Sequence, residues 1–380
     1  MHWLLPDGVE EWLPPDSWRL DALRRDVLDV FARHGFDLIL PPVLEYTESL
    51  HSGVGKGLER KTFTLVDQHN GRQLGFRADI TPQAARIDAN RYAQDAAAIR
   101  RLCYLGTVLR THSDALGGPR SLRQLGAEVF GSAGLDADIE VITLMCAVLE
   151  SARCADVTLD LGHVGIVRAA LPGVSLEAHA PLLAAVQRKA PGEVTDLARA
   201  AGFTDEQIAA LVQLCGLHGT ADTLRSRRDE LPEAMHPALD ELLELSERLA
   251  ARFPAMPQHL DAAELSGFHY ETGVTWAAYR VGQGQAIARG GRYDGIGRVF
   301  GVSRPATGFS ADLNVLYAAG DRKEATADSV IWAPADADPE LHRHIAELRG
   351  QGRCVRQVLP GESMGEGPRL QRQDNQWTLN

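Results

Sequence analysis

Four polar residues, Asp79, Arg110, Gln124 and Glu128, fall in or beside segments that otherwise read as apolar strands. Gln124 and Glu128 are four residues apart, so in an extended strand their side chains leave the same face. Two readings fit this set. It is a salt-bridged face of a sheet, or it is a pocket for an amino acid, with carboxylates for an ammonium and Arg or Gln for a carboxylate. Other chemistry finds less support. Gly282-Gln283-Gly284 is followed by Ile287 where a dinucleotide-binding loop needs glycine, and Gly55-Lys56 runs into Gly57 and is no P-loop. The stretch Ser52 to Gly57 could cradle an anion but reads as a surface loop. His342 and His344 are two apart and do not share a helix face, so they read as solvated side chains. The five cysteines are odd in number and lack any C-x-x-C spacing. That argues for reduced thiols in a cytoplasmic protein, with neither a disulfide framework nor a zinc knuckle. No metal and no cofactor is expected.

The elements that must position these residues can be read in outline. Asp16 or Ser17 caps a helix running to about His34, with Leu20, Leu23, Val27, Leu28, Val30 and Phe31 on one stripe and Gly35 at its end. Residues 36–40 form a short strand stopped by Pro41-Pro42. Two strand-like runs between Lys61 and Arg77 flank Asn70-Gly71, a hairpin signal. Thr81 caps a helix with Pro82 in its first turn. Strands are expected over 101–109, 121–130 and 157–161, and a helix over 138–152. From about 166 to 254 alanine and leucine dominate at helical period, which predicts a helical insertion. Strand texture returns at 268–279 and 285–289, and a last helix is expected from Gly308 to about Ala318. This order predicts an α+β fold: a mostly antiparallel sheet flanked by helices. Residues 1–318 would form the core and 319–327 a linker. Residues 328–380 would form a small β-α-β unit, its polar end from Pro360 to Asn380 loosely ordered.

The 380 residues suit two or three units, and 44% apolar with 24% charged excludes a disordered or low-complexity chain. The net charge of −12 repels phosphate backbones, so nucleic acid is not expected as a partner. The N-terminus carries Asp7, Glu10 and Glu11 where an export signal needs basic residues. The longest apolar run, Val141 to Leu149, is far short of the roughly 20 residues that span a bilayer.

Longer motifs narrow the choice. Residues 35–50, GFDLILPPVLEYTESL, resemble motif 1 of the class II aminoacyl-tRNA synthetases. FRADITPQAAR (76–86), YLGTVLR (104–110) and RQLGAEVFG (123–131) resemble the extended motif 2 of histidyl-tRNA synthetase. Residues 267–296 resemble that enzyme's signature region, and PATGFSADLNVL (305–316) falls at motif 3. The departures are specific. The resemblance implies three ATP-handling arginines. One has a counterpart in Arg110, but Ser266 and Val315 stand at the other two positions. His112 and Ser113 stand where the motif 2 loop usually has Glu and Arg. Adenylate formation relies on fixed positive charge at the transferring phosphate, and one preorganised donor is worth roughly 10²–10³ in rate. About sixty residues follow the core, with eight basic and ten acidic side chains, where a synthetase carries a full anticodon domain.

A synthetase core with its amino-acid pocket kept and its ATP groups lost resembles the regulatory subunit of ATP phosphoribosyltransferase. The resemblance implies no catalysis by this chain, a hetero-oligomer with the short catalytic subunit of histidine biosynthesis, and feedback by L-histidine. It implies a self-dimer through residues 17–50. It also implies a histidine pocket. Asp79 and Glu128 would meet the ammonium with Thr81 packed beside Asp79, and Gln124 and Arg110 the carboxylate. Tyr270 and Tyr293 would wall the imidazole, and Glu271 would accept its N–H. Glu271 departs from the His or Tyr usual there. The rival expectations are an active histidine–tRNA ligase and a tRNA-sensing pseudo-synthetase.

Overall fold

Helix α1 (Asp16–Arg33) forms where Leu20, Leu23, Val27, Val30 and Phe31 recur at helical spacing, and all five are buried. Gly35 follows with φ +77°, a left-handed conformation in which a side chain would be strained. The computed structural model describes residues 4–380 apart from 52–55, 93–94, 96, 114–117, 266–270, 322–329 and 374–375. Ser266, Tyr270, most of the expected linker and the first part of the Ser52 to Gly57 loop therefore lie outside the described residues.

After α1 come β1 (Asp37–Leu38), β2 (Leu44–Tyr46), α2 (Thr47–His51), α3 (Lys56–Lys61), β3 (Thr64–Val66) and β4 (Gln73–Phe76). Next are α4 (Thr81–Arg91), β5 (Arg100–Leu109), β6 (Ser121–Phe130), α5 (Leu135–Ser151) and β7 (Val157–His163). The helical block holds α6 (Val164–Ala170), α7 (Ala180–Gln187), α8 (Pro191–Ala200), α9 (Asp205–Cys215), the two-residue β8 (His218–Gly219), α10 (Ala221–Ser226) and α11 (His236–Arg252). Then β9 (Gln258–Asp261), β10 (Val274–Arg280), β11 (Ala288–Arg292), β12 (Ala306–Asp312) and α12 (Leu313–Ala319) complete one compact unit, Met1–Asp321.

Nine strands make one sheet in the order β1-β5-β6-β12-β11-β10-β7-β9-β8. The pairs β1–β5 and β7–β9 are parallel and the rest antiparallel, so the α+β expectation holds. Strand residues alternate between two faces. One face carries Leu125, Ala127 and Val129 of β6, Phe309 and Ala311 of β12, and Trp276 and Ala278 of β10, all in one buried core with α1 and α5. Phe31 of α1 packs edge-on against Phe309 with ring centroids 6.3 Å apart. The other face carries Gln124, Gly126 and Glu128 of β6, polar positions set beside a second buried cluster that includes Leu102, Tyr104 and Phe130. The hairpin around Asn70-Gly71 also forms, with β4 between β2 and β3 in a separate sheet.

Apart from the cap of α1, which is Pro15 with no side-chain cap bond and so neither Asp16 nor Ser17, three expectations needed correction. Residues 308–318 are not one helix: Ala306–Asp312 is a strand and the helix is Leu313–Ala319. Hydrogen bonding to β6 on one side and β11 on the other outweighs the weak helical preference of this stretch. Thr81 does not cap α4 with its side chain. Its own N–H is accepted by Asp79 Oδ1 at 3.0 Å, and its hydroxyl meets that of Tyr104. The third correction lies in the second compact unit, Arg322–Asn380. There β13 (Ile331–Ala333), α13 (Pro339–Gly350) and β14 (Val355–Gln357) form a β-α-β arrangement with its two strands parallel. The polar end is not loose. It forms a hairpin, β15 (Leu370–Gln373) and β16 (Gln376–Leu379), because Leu370 is buried with Ile331, Leu341 and Val355 and Trp377 Nε1 donates to Asp338 Oδ2 at 2.9 Å.

Candidate functional site

The polar face of the sheet has its focus at Glu128 on β6, which is 1% exposed. Its Oε1 accepts a hydrogen bond from the Tyr104 hydroxyl on β5 at 2.8 Å, and its Oε2 accepts one from the Tyr293 hydroxyl just past β11. Such room exists because Gly308 of β12 stands directly opposite Glu128, and Gly126 of β6 directly opposite Tyr104. A Cβ on Gly308 would overlap Glu128 Oε2 and lie 2.6 Å from the Tyr293 hydroxyl. A Cβ on Gly126 would run into the Tyr104 hydroxyl and come within 2.6 Å of the Phe309 carbonyl. These two glycines are absent side chains that a buried carboxylate requires.

Burial pushes the Glu128 carboxyl well above its usual range, and the nearby charge of Asp79 adds to this. Hydrogen bonds from Tyr104 and Thr81 pull the other way. The Tyr104 phenol is likewise raised, first by burial and then by Glu128. A cation brought to Glu128 would therefore meet a carboxyl whose charged form lacks compensation.

Asp79 precedes α4, and Gln124 lies one turn of the strand period from Gly126. Gln124 Nε2 donates to Asp79 Oδ1 at 2.8 Å, and its Oε1 accepts the Ile80 N–H at 2.9 Å. Both ends of this amide are thus used to hold Asp79 and the start of α4. Arg110, past the end of β5, donates from Nε to the Ala78 carbonyl at 3.2 Å. Thr81 links the two halves through its 2.9 Å contact with Tyr104. The structure therefore brings together Asp79, Thr81, Gln124, Glu128 and Tyr293, with Arg110 bonded beside Asp79. Glu271 stands two strands from Glu128, against Gly291 of β11.

Tyr104 is the residue that sequence reasoning missed. It sits in the YLGTVLR run, and its phase along β5 matches that of Gly106, which pairs with Gln124. That shared phase was the available signal. The strands are pinned from behind by α5: Asp138 accepts from Arg292 Nη2 at 2.7 Å and from Thr307 Oγ1 at 2.6 Å, all three buried.

At the other end of the same strands, Asp312 pairs with Gln124 across β12 and β6. Its Oδ1 accepts the N–H groups of Asn314 and Arg123, both at 3.1 Å, while its Oδ2 has no partner among the described residues. Burial raises its carboxyl, partly offset by those N–H groups, Arg110 and Arg123. Val315 on α12 packs against the main core. Among the described residues no group of His, Cys, Asp and Glu could hold a metal ion, and no helix is long and apolar enough to cross a membrane.

The model of the histidyl-tRNA synthetase family matches residues 8–316, and that of the ATP phosphoribosyltransferase subunit HisZ C-terminal domain matches residues 328–380. The ATP phosphoribosyltransferase regulatory subunit of Pseudomonas syringae pv. syringae (strain B728a) is 47% identical over 366 residues, covering 95% of this chain and 92% of its own. The chain belongs to the ATP phosphoribosyltransferase regulatory subunit family. The regulatory subunit of Pseudomonas entomophila (strain L48), 44% identical, matches over 100% of this chain and 98% of its own. Among solved structures, an ATP phosphoribosyltransferase regulatory subunit/histidyl-tRNA synthetase from Bacillus halodurans C superposes with a TM-score of 0.82 at 26% identity, over 96% of this chain and 95% of that one. Histidyl-tRNA synthetase from Nostoc sp. PCC 7120 shares the fold, with a TM-score of 0.77 at 19% identity over 96% of this chain and 88% of that one. The class II synthetase-like core of the family is the nine-stranded sheet described above.

Proposed function

We propose that this regulatory subunit has no catalysis of its own and confers histidine feedback on a short-form ATP phosphoribosyltransferase catalytic subunit, at the first step of histidine biosynthesis. The observation that carries this is the buried carboxylate of Glu128, held under the hydroxyls of Tyr104 and Tyr293 beside Asp79. Histidine would place its ammonium between Glu128 and Asp79 and its carboxylate at Arg110. Gln124 would act by fixing Asp79. Val315, half-buried against the core at the position where the resemblance puts an ATP-handling arginine, supports the absence of adenylate chemistry. Histidine shifts activity only through different affinities for two states of the complex, a coupling of typically ~1–3 kcal/mol.

Self-association is part of the same reading. A groove of about 610 Å³ is lined by Leu40, Pro41, Pro42, Glu45, Arg86 and other residues of the motif 1 region. Of its lining, Leu40 and Leu44 are exposed apolar side chains, Leu38 and Val43 of the same segment are exposed too, and β1 is an edge strand. Exposed apolar area at a sheet edge favours a second copy, through residues 17–50. The core over 1–318, a linker at 319–327 and the small C-terminal unit complete the proposed organisation, in a cytoplasmic protein without a nucleic-acid partner.

Mixing the chain with its catalytic subunit and assaying with and without histidine tests the proposal. The expected result is activity that needs both chains and falls with histidine. Pyrophosphate exchange above background by this chain alone, with histidine and ATP, would instead establish the ligase reading.

A further inference from the structure

Arg77 directly follows β4 and is buried. Its main chain bonds in two directions. The N–H donates to the Val43 carbonyl at 3.0 Å, and the carbonyl accepts the Leu109 N–H of β5 at 3.0 Å. The side chain repeats this span. Nη1 donates to the Pro41 carbonyl at 2.7 Å, and Nε to the Thr107 carbonyl of β5 at 2.9 Å. Nη1 also reaches Gln83 Oε1 of α4 at 3.4 Å. Gln83, buried too, turns its amide nitrogen to the Pro42 carbonyl at 2.8 Å and to Glu45 Oε1 at 2.7 Å. Pro41, Pro42 and Glu45 belong to the wall of the motif 1 groove.

On the other side of Arg77 stands the pocket. The carbonyl of Ala78, the next residue, accepts from Arg110 Nε, and Asp79 follows. Gly106, beside Thr107, pairs with Gln124, which holds Asp79. A Cβ on Gly106 would overlap Arg77 Nη2, so β5 is shaped to admit this guanidinium. All its acceptors are uncharged oxygens. Burial pulls its pKa down, and the charges of Glu45 and Tyr104 offset this only in part. A buried cation without a bonded carboxylate adds little to stability. What it adds is geometry: a planar fork holds two carbonyls at one fixed separation, which a lysine ammonium cannot do.

We propose that Arg77 is a positioning residue that couples the pocket to the groove, so that a ligand held at Asp79 and Arg110 fixes the Pro41–Pro42 wall and strengthens self-association there. This rests on the reading that histidine occupies the pocket and a second copy the groove. A ligand bound at Asp79 and Arg110 restrains Ala78 and Asp79, with them the main chain of Arg77, and through its fork the Pro41 carbonyl. A wall ordered in advance loses less freedom when the second copy docks. The coupling is reciprocal. Histidine must bind the dimer more tightly than the monomer by the same factor, typically about 5–150-fold. Glu45 lies at the groove end of this link, so the affinity of the dimer for histidine does not depend on it.

Amide hydrogen exchange on the full chain, with and without L-histidine, follows the link segment by segment, and sedimentation reads its effect. In the wild type histidine is expected to slow exchange over 39–46 as well as over 76–81, and to lower the dimer dissociation constant at least about fivefold. Arg77→Lys keeps the charge and loses the fork. Histidine should then still slow 76–81 but no longer 39–46, and the dimer should no longer respond. Gln83→Met leaves Arg77 in place and removes the amide bonds to Pro42 and Glu45. It should lose part of the response, and it serves as the test if Arg77→Lys does not fold. Unchanged exchange over 39–46 in the wild type with histidine bound, or a full response in the variants, overturns the proposal while the pocket stands. Failure of the wild type to bind histidine in calorimetry, with the catalytic subunit present, overturns the underlying reading and the proposal together.

Discussion

The Glu128 end and the Asp312 end of the cleft are built on the same two strands, four residues apart, and each buries a carboxyl. At Glu128 the partners are two tyrosine hydroxyls, which can turn to another acceptor or donor. At Asp312 the partners of Oδ1 are two backbone N–H groups, that of Asn314 at the start of α12 and that of Arg123 on β6, both fixed by the fold. A carboxyl answered by hydroxyls can exchange them for a ligand's ammonium. A carboxyl oxygen answered by two backbone N–H groups is committed to the fold. Both ends keep a carboxyl, yet the first is suited to binding and the second to structure.

The most severe way to break this contrast is Gly308→Ala. The new methyl overlaps Glu128 Oε2, and overpacking of a tight core costs about 1–3 kcal/mol. We expect histidine binding to be abolished in calorimetry and the melting temperature to fall. Retained binding would show that Glu128 does not sit where the ligand does. Glu128→Ala is next. Hydrogen bonds to charged groups are worth about 1.5–3 kcal/mol, so the histidine dissociation constant should rise roughly tenfold or more. Tyr104→Phe removes one donor and should have a smaller effect. Glu45 is no part of this end: it accepts from Gln83 at 2.7 Å and from Arg86 at 2.6 Å, in the motif 1 groove. Glu45→Ala should leave histidine affinity unchanged and weaken self-association in sedimentation.

Acidity sharpens the comparison further. Both carboxyls have folded pKa values raised above their unfolded ones. Their contribution to stability is therefore full below the unfolded carboxyl range and is lost as pH rises through the folded pKa. Glu128→Gln should raise the melting temperature more at pH 8 than at pH 5. The smallest effect belongs to Asp312→Asn. Asparagine caps a helix about as well as aspartate, so the change should stay within about 0.5 kcal/mol and leave histidine binding intact. A large loss of affinity there would erase the distinction between the two ends.

Much of this was written in local chemistry. The stripe of α1, the hairpin at Asn70-Gly71 and the phase of Gln124 and Glu128 follow from residue spacing, because helix and strand periods impose it. The motif order from Gly35 to Leu316 carried the family. Sequence alone misjudged 308–318, since a strand in the middle of a sheet is stabilised by its neighbours and its own residues say little. It also misjudged the last twenty residues, where one buried leucine and one tryptophan order a polar hairpin. The pairing of Gly308 with Glu128 and of Gly126 with Tyr104 was decided by register, a property of strands far apart in the chain. So was the burial of Glu271 Oε2 and Thr275 Oγ1 without a hydrogen-bond partner among the described residues. Residue types determined which charges this protein owns. Tertiary structure decided which of them are paired, because burial and cross-strand distance set the cost of each unpaired atom.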